Sequence, residues 1–89
     1  MISTTVKVLN KVGIHARPAS KFVAEAAKYA CAINVKKGTE NASAKSITRI
    51  LRLRIKMDDT ITIEADGPDE EKAIEALTGL IADKFGEEE

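Results

Sequence analysis

Residues 60–71 decide the fold, and they are Thr60-Ile61-Thr62-Ile63-Glu64-Ala65-Asp66-Gly67-Pro68-Asp69-Glu70-Glu71. Residues 60–65 alternate polar and apolar side chains and are the clearest predicted strand in the chain. Residues 67–71 predict the start of a helix, because acidic side chains favour the positive N-terminal end of a helix. The buried positions predicted for that helix are Ala73, Ile74, Leu77, Leu80, Ile81 and Phe85. A strand followed directly by a helix is therefore expected here, with residues 86–89 as a frayed tail.

Three more strands are predicted upstream of this stretch. Residues 2–9 are rich in β-branched side chains, and residues 32–36 alternate apolar and polar positions. Gly38-Thr39 indicates a hairpin turn, which makes residues 40–44 a weak third strand. A loop is expected at residues 10–13, and Asp58-Asp59 indicates a turn.

Two more helices complete the predicted set. Pro18 suits a first helical turn, and the apolar positions that follow have helical spacing over about three turns: Ala19, Phe22, Val23, Ala26 and Ala30. Residues 47–56 are ambiguous, because Leu51, Leu53 and Ile55 also alternate as in a strand. The helical spacing of Lys45, Arg49, Arg52 and Lys56 favours a short helix that begins after Ser46.

The predicted order is βαββαβα. Four short strands and three helices predict an α+β, open-faced two-layer sandwich, with the helices on one face of a four-stranded antiparallel sheet. A chain of 89 residues is long enough for one domain, so residues 1–89 are expected to form a single unit.

Composition argues against several classes of function. Aromatic residues are 3% of the chain and Trp is absent, so base stacking on aromatic side chains is not expected. Residues 1–5 lack the basic cluster and apolar run of a signal peptide, and no apolar run approaches the ~20 residues of a membrane span, so neither feature is expected. Cys31 is the single cysteine, which excludes an internal disulfide and favours a small buried side chain. We expect a cytosolic protein with no metal, no cofactor and no membrane insertion.

The charges are divided along the chain, although the net charge is zero. Residues 1–56 carry twelve Lys and Arg against two acids, a net +10, and residues 57–89 carry two Lys against twelve acids, a net −10. A cationic face that attracts an anionic partner surface is one interpretation. The alternative is that folding brings the basic and acidic parts together, so that their charges cancel and no cationic face forms.

The only histidine, His15, lies at the predicted start of the first helix. Its imidazole, with an ordinary pKa of about 6.5, is substantially neutral at cytosolic pH, so one ring nitrogen can attack phosphorus. The backbone N–H groups of Ala16 and Arg17 and the Arg17 guanidinium would then stabilise a phosphoryl group. A lone histidine is more often structural, and this context is what favours chemistry.

No second histidine, no acid within the motif and no metal ligands accompany His15. The motif therefore lacks the groups that turnover of a small substrate would need. A protein that is itself the phosphorylated intermediate needs only the nucleophile and its cradle. The residues favour a carrier over an enzyme.

Residues 10–19, Asn10-Lys11-Val12-Gly13-Ile14-His15-Ala16-Arg17-Pro18-Ala19, resemble the active-site segment of the HPr family. These are the histidine phosphocarriers of the bacterial phosphoenolpyruvate-dependent sugar phosphotransferase system (PTS). The resemblance extends over essentially the whole chain, including residues 42–47 and 67–71. It implies that phospho-enzyme I phosphorylates His15 on Nδ1, that Arg17 stabilises the phosphate, and that a sugar-specific IIA domain accepts it.

Ser46 matches the serine that HPr kinase/phosphorylase modifies in many members of the family. A serine before a short helix is also a common N-cap, and the two interpretations are compatible. A phosphate there would add charge that disturbs the docking of an acidic partner.

The same region departs from the family pattern. Members usually carry a large apolar residue at position 48 and glycines near positions 54 and 58, where this chain has Thr48, Arg54 and Asp58. The predicted docking residues are Lys45, Thr48, Arg49, Leu51 and Arg52. Their arginines either match acidic partner surfaces or simply form a solvated helix face.

Three alternatives to sugar transport stay open. The carrier could serve a regulatory, nitrogen-related relay, or it could be a binding module that signals through Ser46 with an inert His15. Nucleic-acid binding is the weakest, because the net charge is zero and aromatic residues are scarce. A monomer is expected, since a carrier presents the same small face to each partner in turn.

Overall fold

The computed structural model describes residues 1–9, 14 and 16–83. The predicted order βαββαβα is confirmed. The elements are β1 (Ile2–Lys7), α1 (Ala16–Ala26), β2 (Ala32–Lys37), β3 (Glu40–Ser43), α2 (Ile47–Arg52), β4 (Thr60–Asp66) and α3 (Glu70–Ala82). The predicted positions 10–13, His15, Phe85 and 86–89 lie outside the described residues.

The four strands form one antiparallel sheet in the order β1-β4-β2-β3. Strand β4 is one of the two central strands, and it pairs with both β1 and β2. Ile61 lies opposite Val6, and Ile63 lies opposite Val35. A period of two sends one set of side chains to each face of the sheet, so Ile61 and Ile63 are buried whereas Thr62 and Glu64 are half-exposed.

The helices cover one face of the sheet, which confirms the α+β open-faced sandwich. Helix α3 packs on β1 and β4, α1 packs between α2 and α3, and α2 contacts β3. The largest fully buried side chains include Phe22, Ile50, Ile61, Ile63, Leu77 and Ile81. The other face is polar; the Thr5 and Thr62 hydroxyls lie 3.1 Å apart there. None of the helices in the described ranges combines the length and the apolarity needed to cross a bilayer.

The prediction for the first helix is wrong at its C-terminal end. Ala30 is exposed rather than part of the buried face of α1. Helix α1 ends at Ala26 because the chain turns to enter β2, and the carboxylate of Asp69 accepts the N–H of Ala30 at 2.8 Å and that of Cys31 at 2.9 Å. The short helix predicted to begin after Ser46 is confirmed as α2, which ends at Arg52, so Lys56 lies beyond it.

The junction between β4 and α3 requires a glycine. Gly67 has φ +153°, and a Cβ there would lie 2.6 Å from the Cβ of Cys31. Its N–H donates to the side chain of Glu70 at 3.1 Å, which ties the turn to the first residue of α3. Cys31 is buried, as predicted for a small apolar side chain.

Candidate functional site

The chain is anchored on both sides of the predicted acceptor. Ile14 is buried, and its N–H donates to the carbonyl of Ile55 at 3.0 Å. On the other side, Pro18 and Ala19 are buried residues of the first turn of α1. His15 itself lies outside the described residues, and its role stays a prediction.

Helix α1 begins at Ala16, and its first two residues, Ala16 and Arg17, are both exposed. The first N–H groups of a helix have no acceptor within the helix, and they carry the positive end of its dipole. The first turn of α1 contains no acidic side chain, so nothing in that turn repels an anion. The two predicted phosphate-stabilising residues, Ala16 and Arg17, are therefore the first residues of α1, at the positive end of its dipole.

Helix α2 runs antiparallel to α1. Ile14, just before α1, bonds to Ile55, just after α2. At the opposite end, the ammonium of Lys45, just before α2, donates to the carbonyl of Tyr29, just after α1, at 2.6 Å. The C-terminal end of α2 therefore lies beside the N-terminal end of α1.

The exposed face of α2 combines apolar and basic side chains. Ile50 is the one buried residue of this helix, whereas Ile47 and Leu51 are 38% and 37% exposed. Their i, i+4 spacing places them side by side, as it does Thr48 and Arg52. Ile47 was not among the predicted docking residues. The sequence did not signal its exposure, because Ile47, Ile50 and Leu51 have the i, i+3, i+4 spacing of a single buried helix face.

The arginines of α2 lie in its last turn, the end nearer to the start of α1. Within the described ranges, neither Arg49 nor Arg52 forms an ion pair with a carboxylate, whereas Lys45 is held by Tyr29. We call the exposed surface formed by Ile47, Thr48, Arg49, Leu51 and Arg52 the α2 face.

Ser46 is the N-cap of α2, as predicted. Its hydroxyl accepts the N–H of Arg49 at 3.4 Å, and its carbonyl accepts the N–H of Ile50 at 3.0 Å. It lies at the end of α2 remote from Ile55, about 9 Å from the other end at 1.5 Å per residue over six residues.

The two departures from glycine fall at left-handed backbone positions. Arg54 has φ 51° and Asp58 has φ 71°. Both positions belong to the segment 53–59 that joins α2 to β4, which we call the 53–59 loop. This is the conformation that glycine adopts readily, which explains the glycines expected from the family pattern.

Folding partly interleaves the two charged parts of the chain. Lys36 pairs with Glu64 at 3.4 Å, and Lys37 pairs with Asp59 at 3.2 Å. Both carboxylates come from the acidic part. The α2 face keeps two arginines, Arg49 and Arg52, that pair with no carboxylate within the described residues.

Comparison with known proteins identifies relatives of the chain in sequence and in fold. The family model described as the PTS HPr component phosphorylation site matches residues 2–83. The phosphocarrier protein HPr of Cupriavidus necator is 36% identical over 89 residues, which cover all of both chains. A crystal structure of HPr from Thermoanaerobacter tengcongensis superposes with a TM-score of 0.96 at 44% identity, covering all of both chains.

A second crystal structure from that organism, described as an HPr dimer, has a TM-score of 0.79 at 44% identity and covers 98% of this chain and all of the other. The agreement extends from the family model through full-length relatives to the fold. The chain therefore belongs to the HPr family, whose members are phosphocarrier proteins of the PTS and not enzymes.

Proposed function

We propose that this chain accepts a phosphoryl group on His15 from phospho-enzyme I and passes it to the IIA domain of a sugar permease. The observation that supports this best is the surroundings of residue 15 in the chain. Helix α1 begins at the next residue, Ala16, and Ile14 and Pro18 are buried on either side. Family membership supports the choice of donor and acceptor.

In the first transfer, a ring nitrogen of His15 forms a bond to phosphorus while the bond from phosphorus to the donor breaks. In the second transfer, the bond from His15 to phosphorus breaks while the acceptor forms a bond to phosphorus. The negative charge of the phosphoryl group would meet the N-terminal end of α1 and the guanidinium of Arg17. This arrangement needs no other nucleophile and no bound cofactor.

The α2 face is proposed as the surface on which both partners dock. Ile47 and Leu51 supply apolar area, while Arg49 and Arg52 supply positive charge close to the start of α1. A partner that fits this face has an apolar centre with an acidic rim. Lys45, which is tied to Tyr29, extends the basic border toward Ser46.

A two-step labelling experiment tests the relay. The chain is incubated with labelled phosphoenolpyruvate and enzyme I, and either a sugar-permease IIA domain or a nitrogen-type IIA domain is then added. We expect label on the wild type, none on His15→Ala, and faster transfer to the sugar-permease domain. Faster transfer to the nitrogen-type domain would favour the regulatory relay. No label, with an enzyme I that phosphorylates a known carrier, would contradict the proposal and favour the binding module.

Ser46 is proposed as a regulatory site for HPr kinase/phosphorylase. Its side chain is half-exposed beside Ile47, so a phosphate there would add negative charge at the border of the α2 face. Incubation with the kinase and ATP should label the wild type but not Ser46→Ala. Absence of label on the wild type would contradict the proposal that Ser46 is a regulatory site.

We propose that residues 1–89 act as one domain, in the cytoplasm and as a monomer. A monomer offers the α2 face to each partner in turn, whereas an assembly that covered this face would block docking. Sedimentation velocity over a range of concentrations tests this, and a stable dimer at working concentration would contradict it.

A further inference from the structure

Lys37, the last residue of β2, uses all three of its ammonium donors on one loop. Its Nζ donates to the carbonyl of Leu53 at 3.0 Å and to that of Arg54 at 2.9 Å. It also lies 3.2 Å from the Oδ2 of Asp59. A lysine ammonium has three N–H donors, so each of them has a partner in the 53–59 loop.

These contacts hold the two ends of the 53–59 loop. Leu53 and Arg54 follow the last turn of α2, where carbonyl groups lack helical donors and a cation is favourable. Asp59 lies at the other end and accepts the N–H of Lys56 at 2.7 Å. That N–H, followed by the ammonium of Lys37, holds the pKa of the Asp59 carboxyl below its ordinary value. The carboxylate is therefore charged at neutral pH, where it can pair with the ammonium of Lys37.

The backbone of the same loop holds the chain on both sides of residues 9–13. The N–H of Val8 donates to the carbonyl of Asp59 at 2.9 Å, and the N–H of Asp58 donates to the carbonyl of Val8 at 2.8 Å. The carbonyl of Ile55 accepts the N–H of Ile14 at 3.0 Å. Ile14 directly precedes His15 in the chain, so the conformation of the loop determines where that anchor lies.

We propose that Lys37 is a positioning residue for phosphotransfer, which fixes the 53–59 loop so that the carbonyl of Ile55 anchors Ile14 next to the phosphoryl acceptor. The contact between Lys37 and the carbonyl of Arg54 also opposes a local backbone strain. The left-handed backbone of Arg54, φ 51°, is unfavourable for a side chain other than glycine, and an added hydrogen bond to its carbonyl opposes relaxation of that conformation. This inference rests on the proposed role of His15.

The test compares Lys37→Met with Lys36→Met. Lys36 is the neighbouring residue on the same strand, and its ammonium is paired at 3.4 Å with Glu64 on the open face of the sheet. Two quantities are measured in each variant. One is amide hydrogen exchange at Ile14 and at Ile63, in the central strand β4, and the other is kcat and KM for phosphotransfer from enzyme I.

Lys37→Met is expected to speed exchange at Ile14 about tenfold, as loss of charged hydrogen bonds loosens the loop. It should lower kcat several-fold with KM unchanged, because the α2 face is intact. Lys36→Met should change neither quantity. Lys37→Arg, which keeps a charged donor, should recover part of the lost kcat.

Wild-type exchange at Ile14 in Lys37→Met would overturn the proposal, and so would an equal rise at Ile14 and Ile63, since that indicates global destabilisation. If Lys37→Met does not fold, Asp59→Asn keeps an acceptor for Lys56 and weakens the tie at one end. Asp59→Asn should then show the same selective rise at Ile14, and its absence would overturn the proposal. The exchange measurement does not require enzyme I, so it separates failure of this inference from failure of the proposed function.

Discussion

At the scale of single residues, the left-handed positions of the 53–59 loop explain a departure from the family pattern. Arg54 and Asp58 have φ 51° and 71°, where a Cβ crowds the backbone. Asp tolerates this conformation better than Arg, because its short side chain can hydrogen-bond locally. The strain is therefore greater at Arg54.

Replacing Arg54 with glycine should stabilise the fold. Relief of the left-handed strain, ~1–2 kcal/mol, exceeds the added chain entropy of glycine in the unfolded state, ~0.5–1 kcal/mol. We expect the free energy of unfolding in urea to rise by ~0.5–1 kcal/mol, with a smaller rise for Asp58→Gly. A clear loss of stability in Arg54→Gly would show that the Arg54 side chain makes a larger contribution than its backbone costs.

Cys31 should react slowly with thiol reagents while the protein is folded. Burial is the main cause that raises the pKa of its thiol, and the neighbouring Asp69 carboxylate adds to it. The reactive thiolate is therefore scarce and shielded at neutral pH. Modification with a chromogenic disulfide should be slow in buffer and fast in denaturant, whereas equal rates would contradict the buried position.

At the scale of elements, the start of α3 depends on a charged carboxylate. Asp69 joins α3 to the α1–β2 connection by accepting the N–H groups of Ala30 and Cys31. The first of these contacts is the main cause that holds the pKa of Asp69 below its ordinary value. The folded protein thus binds fewer protons at this group than the unfolded chain does.

The sign of this difference predicts acid sensitivity. The stabilising contribution of Asp69 is complete above the unfolded pKa, ~3.9, and is lost as the pH falls through the lower pKa of the folded protein. Asp59 contributes in the same direction. Urea midpoints between neutral pH and pH ~3 should fall less steeply for Asp69→Asn than for the wild type. Parallel curves would mean that Asp69 does not contribute to acid sensitivity.

The α2 face gives a prediction at the same scale. Reversing the charges of Arg49 and Arg52 to Glu should lower kcat/KM for phosphotransfer about tenfold at low salt, mainly through KM. Lys7→Glu with Lys72→Glu is the matched control, because both residues are exposed, form no ion pair within the described residues and lie on β1 and α3. Rates unaffected by the arginine reversal, or lowered equally by the control, would indicate that these arginines are only a solvated helix face.

At the scale of the whole molecule, local patterns predicted the element order because each strand and helix has its own periodicity. The alternation in residues 60–65 located strand β4, and Ser46 located the start of α2. Where an element ends was less predictable, because contacts between residues far apart in the chain determine it. Helix α1 stops at Ala26 because residues 30 and 31 bond to Asp69, far along the chain.

The predicted site could be located only in part. The residues of α2 and the start of α1 were identified from spacing and from the resemblance. The role of Lys37 could not be predicted, since its acceptors Leu53, Arg54 and Asp59 are brought to it only by the packing of the 53–59 loop against the end of β2. His15 stays a prediction that chemistry must test.

The central claim is that residue 15 carries the phosphoryl group, and intact mass spectrometry tests it most directly. The chain is treated with enzyme I and phosphoenolpyruvate, and its mass is recorded before and after brief acid treatment. We predict a gain of one phosphoryl group that acid removes, and no gain for His15→Ala. An acid-stable gain, or the same gain on His15→Ala, would contradict the account by placing the phosphoryl group on another residue.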